Sequence, residues 1–143
     1  MTARYKIVID TNVLVSALRS RLGASFALLS RLEGREHQPI LTVPLLMEYT
    51  DVLHRKAMVP ITANAIDAVL DRLCALAAQH PVHFLWRPCL RDPKDDMVLE
   101  AAVNGQADFL VTHNTADFAP AHRFNVRLVT PAQLLRIFDG DTP

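Results

Sequence analysis

Cysteine is nearly absent from this chain: only Cys74 and Cys89 are present. They lack Cys-x-x-Cys spacing and a matching histidine cluster, which argues against a zinc site or a redox motif and leaves them as cytosolic thiols. Glycine is equally scarce, with four residues, and there are no repeats, low-complexity tracts or Ser/Gly linkers to separate two domains. Neither sign of charge prevails, since 15 Lys and Arg stand against 15 Asp and Glu. The broad positive field of a general nucleic-acid coat protein is therefore missing, and any site for a polyanion has to be local. No apolar run approaches the roughly 18 residues of a membrane span. The short apolar stretch before Asp10 is too brief for a secretory signal, so a cytoplasmic protein without membrane contact is expected. Trp86 is the single tryptophan and other aromatics are few, which argues against a platform for stacking single-stranded bases.

What the chain does have is apolar mass. Half of its 143 residues are hydrophobic, enough for one real core and too few residues for two ordinary domains, so a single domain over 1–143 is expected. Short β-rich runs alternate with longer helical patterns. Strands are predicted at Tyr5–Ile9, Pro39–Thr42, Val82–Trp86, Asp108–Val111 and Val126–Val129. Several are apolar without a polar alternation, as parallel strands covered on both faces are. Helices are predicted near 12–20, 23–36, 44–56, 62–79, 94–104 and 131–138. In the fourth, Ile66, Val69, Leu70, Leu73 and Ala77 recur at helical spacing. Alternation of this kind implies a doubly wound α/β fold with a parallel sheet, whose ligand site lies beyond the carboxyl ends of the strands.

Asp10 breaks the apolar stretch YKIVIDTNVLVSAL where the first strand ends, which is where such folds place their chemistry. The plainer alternative makes it the N-cap of the next helix, with Thr11 and Asn12 as cap neighbours. A second acid, Glu48, lies in TVPLLMEYTDVLHRK. Pro44 suits the first turn of that helix, and Leu45, Leu46, Tyr49, Val52 and Leu53 form its apolar face, leaving Glu48 at the edge where core meets solvent. Read alone, it is a solvated flank residue.

In RDPKDDMVLEAAVNG, Asp92 and Pro93 read as N-cap and first helical position, and Asp95 as a carboxylate complementing the helix dipole. Asp96 escapes that explanation. The helix behind it is apolar around most of its circumference, and Asp96 shares the remaining polar strip with Glu100, four residues on, where like charges repel. Finally, in ADFLVTHNTADFAP a strand ends at Thr112-His113-Asn114 and Asp117 follows after a short turn, in which Asn114 and Asp117 are equally ordinary turn formers. If this strand lies beside the first, then Asp10, Glu48, Asp96 and Asp117 can converge. Carboxylates gathered in one pocket are costly unless a cation neutralises them. An all-oxygen set matches Mg²⁺ or Mn²⁺ rather than zinc, and such ions serve hydrolysis of a phosphodiester backbone.

The stretches VIDTNVLVSAL, LLMEYTDVL, RDPKDDMVLEAAV and ADFLVTHNTADF resemble, in order and spacing, the four acidic motifs of PIN-domain nucleases. The resemblance runs from about Lys6 to Phe138 and is greatest to the single-domain toxins of bacterial toxin–antitoxin pairs. It implies a three-layer fold with a parallel sheet of four or five strands, an Mg²⁺- or Mn²⁺-dependent endoribonuclease, a small antitoxin partner and a homodimer. Carried over by residue, it makes Asp10, Glu48, Asp96 and Asp117 the catalytic and metal-binding acids. Many relatives carry an acid at the position of Asn114, so Asn114 and Asp117 compete for the fourth place. Thr11, Asn12, Thr112 and Asn114 then orient the acids or a metal-bound water.

Arg87, Arg91 and Lys94, just before Asp96, are candidate contacts to RNA phosphates, with Arg19 and Arg21 at the end of the first helix; the bland alternative is that all are solvated. His113 is a candidate proton donor or acceptor that a metal mechanism does not require. Other functions to weigh are an unpaired RNA-processing nuclease, a non-catalytic RNA- or protein-binding module, and a small-ester phosphatase. The last is disfavoured because Asn12 stands where the second acid of an Asp-x-Asp nucleophile pair belongs.

Overall fold

The computed structural model describes residues 5–34, 37–79 and 93–140. Along the chain come β1 (Lys6–Ile9), α1 (Thr11–Arg19), α2 (Ala24–Leu32), β2 (Gln38–Leu41), α3 (Val43–Leu53), α4 (Ala63–Leu76), β3 (Ala78–Gln79), α5 (Pro93–Asn104), β4 (Phe109–Val111), a 3₁₀ helix (Thr115–Phe124), β5 (Arg127–Val129) and α6 (Pro131–Phe138). The five strands form one parallel sheet in the order β3-β2-β1-β4-β5, so β1 is central and has β2 on one side and β4 on the other. Winding outward from β1 in both directions opens a crevice beside its carboxyl end, between β1 and β4.

The apolar strands explain why the sheet is covered. Ile7, Val8 and Ile9 of β1 and all of β4 are buried, as parallel strands with helices on both faces must be. Helices α1, α2 and α6 pack together, while α5 lies against β1, β2 and β4 and is flanked by α3 and by the 3₁₀ helix, which also packs on β5. Side chains start several helices: the Thr42 hydroxyl accepts from Leu45 N–H ahead of α3, Thr62 accepts from Ala65 N–H ahead of α4, and Thr130 with Gln133 forms a reciprocal cap on α6. At the end of α5, Gly105 brings the backbone against Ile40 of β2. A β-carbon there would stand 2.6 Å from Ile40 Cγ2, so only glycine allows this approach.

Several predicted boundaries shift. Thr42 is a helix cap rather than a strand residue, because its hydroxyl satisfies a backbone donor of α3. The fourth helix ends at Leu76, and Ala77 turns to extended backbone so that Ala78–Gln79 pairs with Ile40–Leu41. The turn expected before Asp117 is a ten-residue 3₁₀ helix. The strand predicted at Val82–Trp86 lies outside the described residues. Among the described residues no single helix is long and apolar enough to cross a membrane.

Candidate active site at the strand ends

Asp10 follows β1 directly. Its backbone N–H donates to the Val111 carbonyl at 2.9 Å, which extends the β1–β4 ladder by one bond and carries Asp10 to the crevice. By backbone geometry it is the N-cap residue of α1, yet its side chain closes no cap hydrogen bond. The carboxylate is instead engaged by the neighbouring strand: Thr112 Oγ1 donates to Asp10 Oδ2 at 2.8 Å. Asp10 is only 6% exposed, and burial holds its carboxyl above the ordinary carboxylate value. The Thr112 hydroxyl, the N–H groups of Thr11 and Asn12, and nearby His113 all act in the opposite direction by favouring the charged form.

Glu48 reaches the same place from α3. Asp10 and Glu48 line one cavity of about 180 Å³, together with Thr11 and Asn12 at the start of α1, Asp95 in the first turn of α5, and Val52, Arg55 and Met58 from α3 and the turn after it. Tyr49 fixes the spacing. It is buried, and its hydroxyl donates to the carbonyl of Ile9, the residue before Asp10, tying α3 to the end of β1. Burial, with the Asp10 charge behind it, pushes the Tyr49 phenol well above its usual range, so this donor stays protonated. The sequence shows Tyr49 only as part of an apolar face; its adjacency to Glu48 is the one hint of this positioning role.

Asp96 is 1% exposed, and so is Glu100 one turn later, so the polar strip of α5 is buried with most of the helix. It is Asp95, half-buried and assigned from the sequence to dipole complementation alone, that lines the cavity with Asp10 and Glu48. Asp117 sits on the 3₁₀ helix, exposed, where Asn114 Nδ2 donates to its Oδ2 at 2.6 Å; neither residue lines that cavity. Thr112 is buried, and besides donating to Asp10 it accepts from Asn114 N–H at 3.1 Å. His113 is exposed, with Nε2 3.1 Å from Ser16 Oγ and 3.3 Å from Ser25 Oγ. Arg87 and Arg91 lie outside the described residues, as does the Lys94 side chain.

The donors around the cavity are carboxylate, hydroxyl and amide oxygens, a set whose chemistry fits a hard divalent cation. Among the described residues no three His, Cys, Asp or Glu side chains stand in a ready-made ligand cluster, so the fit is one of chemistry and place.

A parallel α/β sheet with an acid-lined cavity at the carboxyl end of its central strand defines the architectural class. The chain belongs to the PIN-domain family, whose model matches residues 6–116. That family places it in the nuclease class of hydrolases. Among solved structures it is similar to VapBC2 from Rickettsia felis bound to a DNA fragment from their promoter, at 17% identity and a TM-score of 0.59, over 87% of this chain and 98% of the other. No curated protein matches it.

Proposed function

We propose that this protein is a metal-dependent endoribonuclease. The observation that carries the reading is that Asp10 and Glu48, from different elements, line one cavity at the crevice of a PIN-family fold. Asp10, Glu48 and Asp96 would hold Mg²⁺ or Mn²⁺, with Asp117 as the fourth acid. When bound, such an ion activates water and stabilises charge on a phosphodiester oxygen. The chain's own residues prepare the place. Thr112 holds one oxygen of Asp10 and keeps the carboxylate from turning. Tyr49 sets the distance between α3 and β1, and therefore between Glu48 and Asp10. Thr11 and Asn12 supply further oxygen donors at the wall.

The same reading includes the role of a toxin restrained by a small antitoxin, a homodimer and a cytoplasmic site of action. Its support is the motif resemblance and a fold shared with VapBC2, part of a toxin–antitoxin complex.

Cleavage of end-labelled single-stranded RNA in Mg²⁺ or Mn²⁺, with and without EDTA, tests the enzyme. The expected result is metal-dependent cleavage leaving a 5′-phosphate and 3′-hydroxyl, lost in Asp10→Asn. Cleavage that persists in EDTA, or that leaves a 2′,3′-cyclic phosphate, contradicts it. Growth of the bacterial host expressing wild type or Asp10→Asn tests the toxin role; equal growth, with active wild-type protein present, contradicts that role alone.

A further inference from the structure

The acid cavity has one cationic side chain in its wall among the described residues, that of Arg55. Its guanidinium pairs with Asp51, four residues earlier, Nη2 to Oδ2 at 2.8 Å, with side-chain exposures of 43% and 66%. An exposed i,i+4 pair contributes little to stability, so the guanidinium can be drawn to a stronger anion at small cost.

The turn that carries Arg55 is held in an unusual shape. Ala57 adopts φ +59°, the left-handed region that a residue with a β-carbon enters only where its surroundings require it. Met58 N–H donates to the Arg55 carbonyl at 3.1 Å, and the Met58 carbonyl accepts from Arg19 Nε of α1 at 2.8 Å. Helix α1 begins immediately after Asp10, so the element that follows the acid also clamps the turn bearing the arginine. Both Arg55 and Met58 are thereby kept in the cavity wall.

A hard cation needs the carboxylates, whereas a guanidinium beside them has no use in holding that cation and works against it by repulsion. Its chemistry suits the other component of the reaction, the phosphate, whose oxygens it grips through a planar fork of N–H donors. We propose that Arg55 is the phosphate-holding residue of this pocket, exchanging Asp51 for a non-bridging oxygen of the RNA phosphodiester. The inference rests on the nuclease reading above and names a contact that reading does not contain.

The test uses the full chain and a short fluorescein-labelled single-stranded RNA of randomised sequence. Anisotropy in Ca²⁺ over a range of KCl reads RNA binding for wild type, Arg55→Gln, Arg55→Lys and Asp51→Asn. Cleavage kinetics in Mn²⁺, and Mn²⁺ binding without RNA, complete the set. Arg55→Gln is expected to weaken RNA binding about tenfold, to lower the salt slope by about one phosphate, and to tighten Mn²⁺ binding several-fold because a like charge has gone. Arg55→Lys should keep the slope but recover only part of the affinity. Asp51→Asn should bind RNA at least as tightly as wild type. If wild type binds RNA but Arg55→Gln matches it in affinity, salt slope and Mn²⁺ binding, the inference is overturned while the nuclease reading stands. A wild type that neither binds nor cleaves RNA removes both.

Discussion

The Thr112 hydroxyl donates to Asp10 Oδ2 at 2.8 Å although 102 residues separate the two, and both are buried. Replacing Thr112 by Val keeps the shape and removes a hydroxyl that favours the charged form of Asp10. The Asp10 carboxyl should then titrate at higher pH still. We expect the acidic limb of the kcat/KM profile for RNA cleavage to move upward in pH, with a loss of about 1–3 kcal/mol in stability for the uncompensated buried acid. A limb in its original place would show that Asp10 does not govern that titration.

Asp10→Asn should abolish cleavage and yet stabilise the metal-free protein at neutral pH. Because the folded protein holds the Asp10 proton more tightly than the unfolded chain does, the stability it contributes is present below the ordinary value of 3.8 and is lost as pH rises through the raised folded value. The difference in Tm between Asp10→Asn and wild type should therefore vanish in acid and open above about pH 4. Added Mn²⁺ should reverse the order by raising the wild-type Tm alone, by about 2.7 kcal/mol of stability at a hundredfold excess over its Kd. Calorimetry at several pH values, with EDTA or with Mn²⁺, measures both effects.

Tyr49→Phe removes the donor that ties α3 to the Ile9 carbonyl. A stability loss of about 1 kcal/mol is expected in urea unfolding. Since Glu48 is positioned through this contact, kcat should fall about tenfold or more while the Kd for RNA stays near wild type. Equal losses in binding and turnover would instead mean a general loosening of the helix.

Much of the architecture was legible because apolar runs without alternation, separated by helical periodicity, have few solutions other than a covered parallel sheet. Strands β1, β2, β4 and β5 and all six α-helices lie within a few residues of their predicted places. The two-residue β3 was not, since only a change of ψ at Ala77 separates it from the helix before. Nor was the 3₁₀ helix, whose polar, proline-containing sequence around Asp117 reads equally well as a turn. At the site, Asp10 and Glu48 could be singled out because each interrupts an apolar pattern at a strand end or a core edge. The consecutive pair Asp95 and Asp96 could not be resolved so easily. A helix turns by about 100° per residue, so its rotation about its own axis decides which acid lines the cavity and which is buried, and pattern alone does not specify that rotation to such accuracy. Arg55 was missed for a different reason: a basic residue just past a helix end is usually solvated, and nothing local distinguishes it.

Gly105→Ala should cost about 1–3 kcal/mol, because a β-carbon would meet Ile40 Cγ2 and Cδ1 at 2.6 and 2.8 Å. In an Ile40→Ala background, with both atoms gone, the same substitution should cost much less. A double-mutant cycle by chemical denaturation reads this coupling, and strict additivity would show that the clash is relieved elsewhere.

The sheet order also sets a timetable for the newly made chain. Because β1 is central, its second neighbour, β4, is synthesised only at residues 109–111, and Thr112 follows directly. Until then Asp10 has no Thr112 and one edge of β1 is unpaired. A polypeptide interrupted before this point therefore carries Asp10 and Glu48 but lacks β4 and the hydroxyl that holds the Asp10 carboxylate. For a protein with the activity proposed above, full activity is therefore expected only of chains translated past Thr112.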